Sequence, residues 1–214
     1  MKKLMLATGN SGKVRELNAI LAGVCEVISQ KELGVNEVPE TGLSFVENAL
    51  IKARNASRQT GLPALADDSG LVVDALNGAP GIYSARYAGE GATDEENLQK
   101  LLSDLKRNNN DNRQARFWCA LAFVLHGDDP TPVIIQRGWE GKIIDEVRGE
   151  GGFGYDPIFY LSTHNCTSAE LSSEEKNKIS HRGQALQAFL KQLKDWLTCY
   201  SCRQFRSTST TLGV

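Results

Sequence analysis

The chain has 214 residues, 41% of them hydrophobic, and its 24 Lys and Arg stand against 26 Asp and Glu for a formal net charge of −2. That is enough for one domain with a real core. It lacks the basic excess that marks a nucleic-acid polymer as partner, and no apolar run approaches the roughly 18 residues of a membrane-crossing helix.

No signal-peptide pattern precedes the first apolar stretch. The five cysteines, Cys25, Cys119, Cys166, Cys199 and Cys202, are irregularly spaced. They describe a reducing compartment rather than a disulfide framework, so the expected location is cytoplasmic. Cys199-Tyr-Ser-Cys202 is a lone C-x-x-C with no second pair to complete a zinc site.

In chain order, Lys3–Ala7 is apolar enough for a buried strand. Lys13–Leu21 carries Val14, Leu17, Ile20 and Leu21 on helical spacing, and a short strand follows near Cys25–Ser29. Ser44-Phe-Val-Glu47 reads as a capping box opening a helix with Phe45, Val46, Ala49, Leu50 and Ala53 on one side; Gly61 and Pro63 end it. Ala64–Ala66 and Leu71–Ala75 are strand-like on either side of D-D-S-G. Thr93-Asp-Glu-Glu96 caps a second helix bearing Leu98, Leu101, Leu102 and Leu105, and N-N-N-D-N at 108–112 is a solvated loop.

Arg116–His126 is almost continuously apolar, which suits a central strand buried on both faces. Val133–Gln136 and Trp139–Ile144 return as strands after a proline turn, so an antiparallel ribbon is expected. The last helix spans about Gln184–Leu197. The segment beyond it lacks periodicity and is rich in Ser and Thr, so 198–214 reads as a flexible tail on a unit covering 1–197. The sum is an α/β protein with a mixed sheet.

Four stretches break the rules of packing. The first is A-T-G-N-S-G-K at 7–13, between a strand and a helix. A tight glycine turn there aims free N–H groups and the helix dipole at one point, with Lys13 adding a charge. It is not a P-loop, because Ala7 replaces the first glycine and Val14 the hydroxyl residue. The plain alternative is a well-made turn with a solvated lysine. The second is Asp67-Asp68-Ser69-Gly70. Strand alternation turns the two carboxylates to opposite faces, and one of them at a strand end suits Mg²⁺. The plain alternative is an Asp-rich turn with Gly70 at positive φ.

The third stretch is Gly151-Gly-Phe-Gly-Tyr-Asp-Pro157, whose glycines let a flat ligand approach backbone beside a ring; a bulge is the alternative. The fourth is Lys176–Gly183, K-N-K-I-S-H-R-G. Ser180 caps the last helix and His181 and Arg182 sit in its first turn, against the dipole. They face either an anionic, acceptor-rich partner or simply solvent.

Together these are the parts of a nucleotide site. The sequence resembles the inosine-triphosphate pyrophosphatase family through T-G-N-x-x-K (Thr8, Gly9, Asn10, Lys13), P-E-T-G (Pro39–Gly42), E-N-A-x-x-K-A (Glu47–Ala53), D-D-S-G-L, G-A-P-G-I-Y-S-A-R-Y (Gly78–Tyr87), G-G-F-G-Y-D-P and S-H-R-G-x-A, in order over about residues 2–197. The resemblance implies two α/β lobes around a long mixed sheet with the nucleotide in the cleft between them, and a homodimer. It implies Mg²⁺-dependent hydrolysis of ITP, dITP and XTP to monophosphate and pyrophosphate. By that resemblance Thr8, Gly9, Asn10, Ser11, Gly12 and Lys13 bind the triphosphate, with Lys52 and Lys176 facing it. Glu40 and Asp68 hold Mg²⁺, with Glu37 close enough to compete for Glu40's place, and Asp68 is the general base. Ser69 contacts substrate. Phe153, Gly154, Tyr155 and Asp156 form the base pocket, and His181 and Arg182 read the purine edge.

Overall fold

The structure is a computed structural model and describes residues 3–9, 14, 18 and 25–193. Among the described residues, seven strands form one open mixed sheet in the order β2-β1-β3-β4-β5-β6-β7. They are β1 (Lys3–Leu6), β2 (Glu26–Ser29), β3 (Ala64–Val73), β4 (Gln114–Val124), β5 (Val133–Ile143), β6 (Phe159–Leu161) and β7 (Cys166–Thr167). β1 runs parallel to both β2 and β3, and every pairing from β3 to β7 is antiparallel. The α/β class and the mixed sheet are those the sequence predicts. Val14 and Asn18 are helical; the rest of the predicted 13–21 helix, the tail and the C-x-x-C lie outside the described residues.

Helix α1 (Phe45–Thr60) starts where Ser44 accepts the Glu47 N–H. The return arm differs from the predicted capping box: the Glu47 carboxylate takes the Leu43 N–H at 2.9 Å and the Ser44 hydroxyl at 2.7 Å. The α1 residues turned to the sheet are small, with Ala49, Ala53 and Ala56 fully buried, so helix and sheet approach closely. Helix α2 (Asp94–Arg107) has both arms of its capping box, from Thr93 and Glu96, and buries the four leucines. In the asparagine loop, the side-chain oxygens of Asn108, Asn110 and Asn112 each accept the N–H two residues on, a run of Asx turns that satisfies backbone with no strand or helix. A short α3 (Ser173–Ile179) precedes α4, helical over 181–193.

Two strand readings are corrected. Val133–Gln136 and Trp139–Ile144 form one strand, because Gly138 keeps its place in the ladder opposite Trp118. D-D-S-G is no turn: it lies inside β3, with Asp67 opposite Leu121 and Gly70 opposite Trp118. Its polar side chains meet partners on either face of the sheet, so its polarity marks a site rather than a break.

Strand alternation divides the core. Met5, Ala64, Ala66, Ala120, Ala122 and Val124 pack under α1. On the other face Leu4, Leu6, Leu65, Leu121 and Phe123 pack under α4 through Leu186, Phe189 and Leu193. A third cluster gathers Leu71, Val73 and Phe117 with the α2 leucines, Trp139 and Phe159. In β3, Asp67–Gly70 lies between Ala64–Ala66, which belong to the first two clusters, and Leu71 and Val73, which belong to the third.

Candidate functional site

β1 stands between β2 and β3, parallel to both. The chain therefore leaves the carboxyl end of β1 toward one neighbour and later enters the other. Such a switch point opens a crevice where ligands bind in α/β sheets. β1 pairs with β3 only as far as Leu6 opposite Leu65, and the next bridge on that edge joins Val72 to Pro80. A cavity of about 460 Å³ occupies this notch, and its lining includes Thr8, Glu40, Lys52 and Asp68 together with Phe153, Lys176 and Arg182.

One end of the cavity is ionic. Lys52, on α1, sends Nζ to Glu40 Oε1 at 2.7 Å and to Asp68 Oδ1 at 2.8 Å. Burial alone would lower the Lys52 pKa, but the Asp68 carboxylate, then that of Glu40, outweigh it and hold the ammonium above its ordinary value. Arg86 adds a second cation, with Nη1 at 3.5 Å from Glu40 Oε2. Two carboxylates of hard oxygens converging on one ammonium are a fitting donor set for a small divalent cation, which takes one or two carboxylates and leaves its other positions to water and phosphate. Among the described residues, no cluster of three or more acidic, His or Cys side chains offers a full protein cage for a metal. Glu37 also lines the cavity and accepts from Gln30 at 3.3 Å.

Asp67 turns to the opposite face, as alternation dictates. It is buried there, and its Oδ2 accepts from the Ser69 hydroxyl, from Cys119 Sγ at 3.4 Å and from Arg182 Nε at 3.3 Å. Arg182 and His181 are 4% and 6% exposed, which removes the alternative that they face solvent. The Asp67 carboxylate supplies the negative charge that a cation in the first turn of a helix lacks. His181 stacks on Phe117 with ring centres 5.1 Å apart and planes within 11°. Ser180 Oγ accepts the Gly183 N–H at 3.2 Å, the predicted cap.

The other end of the cavity is aromatic. Phe153 is 41% exposed, with Lys176 Nζ at 5.2 Å and Arg182 Cζ at 5.8 Å from its ring centre. Lys176, which the resemblance turns toward the triphosphate, is ion-paired to Asp156 at this end. Asp156 is only 2% exposed and works inside the loop: it takes Lys176 and the Phe153 N–H (2.8 Å) on one oxygen and the Ser168 hydroxyl (2.8 Å) on the other. Gly152 and Gly154 hold φ of +79° and +62°, which accounts for the glycines. The Gly154 N–H reaches Asp94 at 2.8 Å, and Tyr155 Oη donates to the Ser84 carbonyl at 2.8 Å.

Of the first stretch, Thr8 and Gly9 line the cavity; Asn10, Ser11, Gly12 and Lys13 lie outside the described residues. Ser69, Gly154, Tyr155 and Asp156 also line it. Arg86, Asp94 and Phe117 are among the lining residues to which the sequence assigns no role at the site. Arg86 sits within G-A-P-G-I-Y-S-A-R-Y, where its charge in an otherwise apolar run was a usable signal. Asp94 reads as an ordinary first-turn acid, and Phe117 as core.

The Ham1 family profile matches residues 4–192. The chain is 57% identical over 196 residues to a dITP/XTP pyrophosphatase of Photorhabdus laumondii, covering 91% of this chain and all of that protein, and 56% identical over the same span to that of Escherichia coli K12. Its fold is similar to a HAM1 protein from Coxiella burnetii, with TM-score 0.87, 50% identity, and 91% and 100% of the two chains covered. The Staphylococcus aureus Ham1 protein gives TM-score 0.79 at 43% identity, with 89% and 98% covered. The chain belongs to the Ham1 family.

Proposed function

We propose that this chain is a nucleoside-triphosphate pyrophosphatase acting on deaminated purine nucleotides, dITP, XTP and ITP, and so clears them from the pool from which DNA and RNA are made. The reaction is NTP + H₂O → NMP + pyrophosphate. The observation that carries this reading is one cavity with carboxylates and cations at one end and an exposed ring beside two cations at the other. Relatives 56–57% identical along nearly their whole length bear the name of this activity.

In this reading water attacks the α-phosphorus, because the leaving group is pyrophosphate. Asp68 takes the proton of that water. Lys52 holds Asp68 and Glu40 in place and presents positive charge to the phosphates, together with Lys13 and the backbone that begins at Thr8 and Gly9. A divalent cation, Mg²⁺ in this proposal, bound by Glu40 and Asp68 supplies charge neutralisation at the phosphoryl oxygens. Phe153 stacks on the base. Arg182 and His181 meet its edge, where inosine and xanthine carry an acceptor at position 6 and a guanidinium is donor only.

The test is incubation with dITP or XTP and Mg²⁺, followed by identification of both products. Monophosphate with pyrophosphate is the expected pair; diphosphate with phosphate overturns the reading. The same reading includes cytoplasmic residence and a homodimer. Among the described residues no helix is long and apolar enough to cross a membrane, and exposed Leu43, Tyr83 and Val147 offer apolar surface to a second copy. Light scattering at micromolar concentration is expected to give twice the chain mass, and the monomer mass would refute the dimer.

A further inference from the structure

The segment Gly78–Tyr87 brings to the cavity a cation that the reaction described above does not use. Its residues Gly81–Arg86 form a short 3₁₀ helix seated directly on β3. A Cβ at Gly70 would meet the Gly81 carbonyl at 2.4 Å and Ser84 Oγ at 2.5 Å, so only glycine there lets the two backbones come this close. Ser84 Oγ locks the seat by accepting the Leu71 N–H at 2.9 Å and donating to the Gly81 carbonyl at 2.6 Å. The helix that ends in Arg86 is thereby pinned to the strand two residues beyond Asp68.

The Arg86 guanidinium lines the cavity and divides its hydrogen-bonding edge. Nη1 lies 3.5 Å from Glu40 Oε2 inside, and Nε lies 3.3 Å from Glu90 Oε1 outside; Cζ sits 5.3 Å from the Tyr83 ring centre. The two acid partners are unequal. The Glu40 side chain is 26% exposed, whereas that of Glu90 is 89% exposed. An ion pair so exposed is screened by water and contributes little. Its carboxylate holds the fork where a better anion is able to take over. Lys52 is already committed to two carboxylates. A triphosphate entering at that end therefore finds Arg86 as the described cation whose partner is exchanged most cheaply. A planar fork also matches phosphate oxygens better than an ammonium does.

We propose that Arg86 is a phosphate-binding residue of this site, which releases Glu90 to grip the β- and γ-phosphates and stabilises the pyrophosphate as it leaves. The inference rests on the pyrophosphatase reading. As water adds to the α-phosphorus, the bond from that phosphorus to the bridging oxygen breaks. The electron pair goes to the pyrophosphate, and the guanidinium faces that growing charge without giving up a proton.

The experiment uses the full chain with Mg²⁺, dITP as substrate, and the two products, inorganic pyrophosphate and dIMP, as separate inhibitors. Arg86→Ala is expected to weaken pyrophosphate inhibition by about 10–100-fold and to lower kcat/KM by a similar factor, the loss of one charge-assisted hydrogen bond. Inhibition by dIMP stays within about twofold, and Arg86→Lys recovers part of the pyrophosphate binding. Unchanged pyrophosphate inhibition in Arg86→Ala overturns the proposal, as does equal weakening of both inhibitors, which is the mark of a merely structural role. If Arg86→Ala does not fold, Arg86→Gln, which keeps length and a donor, carries the same comparison. If the parent releases no pyrophosphate from dITP, the functional reading itself fails; if it does and the variants do not separate the inhibitors, only the role of Arg86 fails.

Discussion

The two ends of the cavity are built by opposite means. At the ionic end Asp68 stands in mid-strand and Lys52 on α1, and they are one another's partners, with Glu40 from the irregular segment before α1 and Arg86 from the 3₁₀ helix closing the network. At the aromatic end the exposed ring stands on an irregular loop. The groups that hold that loop, Asp156, Ser168, Asp94 and the Tyr155 hydroxyl, spend their hydrogen bonds on it. Strands and helices place a charge more precisely than loops do, which suits proton transfer and in-line attack. A loop tied by side-chain hydrogen bonds suits a stacking surface, where a ring tolerates small displacements. Loss at the first end therefore falls on turnover, and loss at the second on the binding of the base, its ring on all purines alike and its guanidinium on the choice among them.

The adjacent carboxylates of β3 give the largest test of that contrast. Asp68→Asn removes the base and a metal ligand, and is expected to lower kcat by about 10²–10⁴-fold. Its effect on the melting temperature is small, because Lys52 keeps Glu40. Asp67→Asn is expected to do the reverse. Asp67 pairs with Arg182 where neither side chain is more than 5% exposed. Removing one partner of such a buried pair costs about 3–5 kcal/mol. Thermal unfolding and turnover at saturating dITP and Mg²⁺ should rank the two variants in opposite order. The same order in both assays would erase the distinction between the faces.

Much of this was legible in the chain. The capping serines and threonines, the leucine spacing of α2 and the apolar run of β4 reflect local propensity and burial, so they survive into the fold. The opposite orientation of Asp67 and Asp68 follows from strand period alone. What was not legible depends on contacts far apart in sequence. D-D-S-G looked like an interruption because its partners, Lys52 from α1 and Arg182 from α4, are supplied by tertiary packing. The sequence leaves Arg182 and His181 between an acceptor-rich partner and solvent for the same reason: the carboxylate that makes burial tolerable lies 115 residues away. Asp156 reads as a ligand contact in the motif, and its oxygens go to the Phe153 N–H, to Ser168 and to Lys176, partners that only the fold assembles.

The smaller test addresses the aromatic end. Adenine carries a donor at position 6 where inosine carries an acceptor, so a guanidinium facing that edge meets donor with donor. A buried group left unpaired costs about 1–3 kcal/mol, so ITP should exceed ATP in kcat/KM by roughly ten- to hundred-fold per mismatch. Stacking on Phe153 does not read the edge and helps all purines alike. Arg182→Ala is therefore expected to shrink the ITP/ATP ratio, and Phe153→Ala to weaken both substrates at a nearly fixed ratio. The two residues touch, with the guanidinium 5.8 Å from the ring centre. Neighbours in contact do not add, and the double variant should fall short of the summed losses in kcat/KM for ITP while keeping the reduced ratio of Arg182→Ala. If the ratio survives Arg182→Ala, the edge is read by another group of the cavity. If Phe153→Ala changes the ratio as much, the ring orients the base against the arginine, and the separation drawn between stacking and edge recognition at this end does not hold.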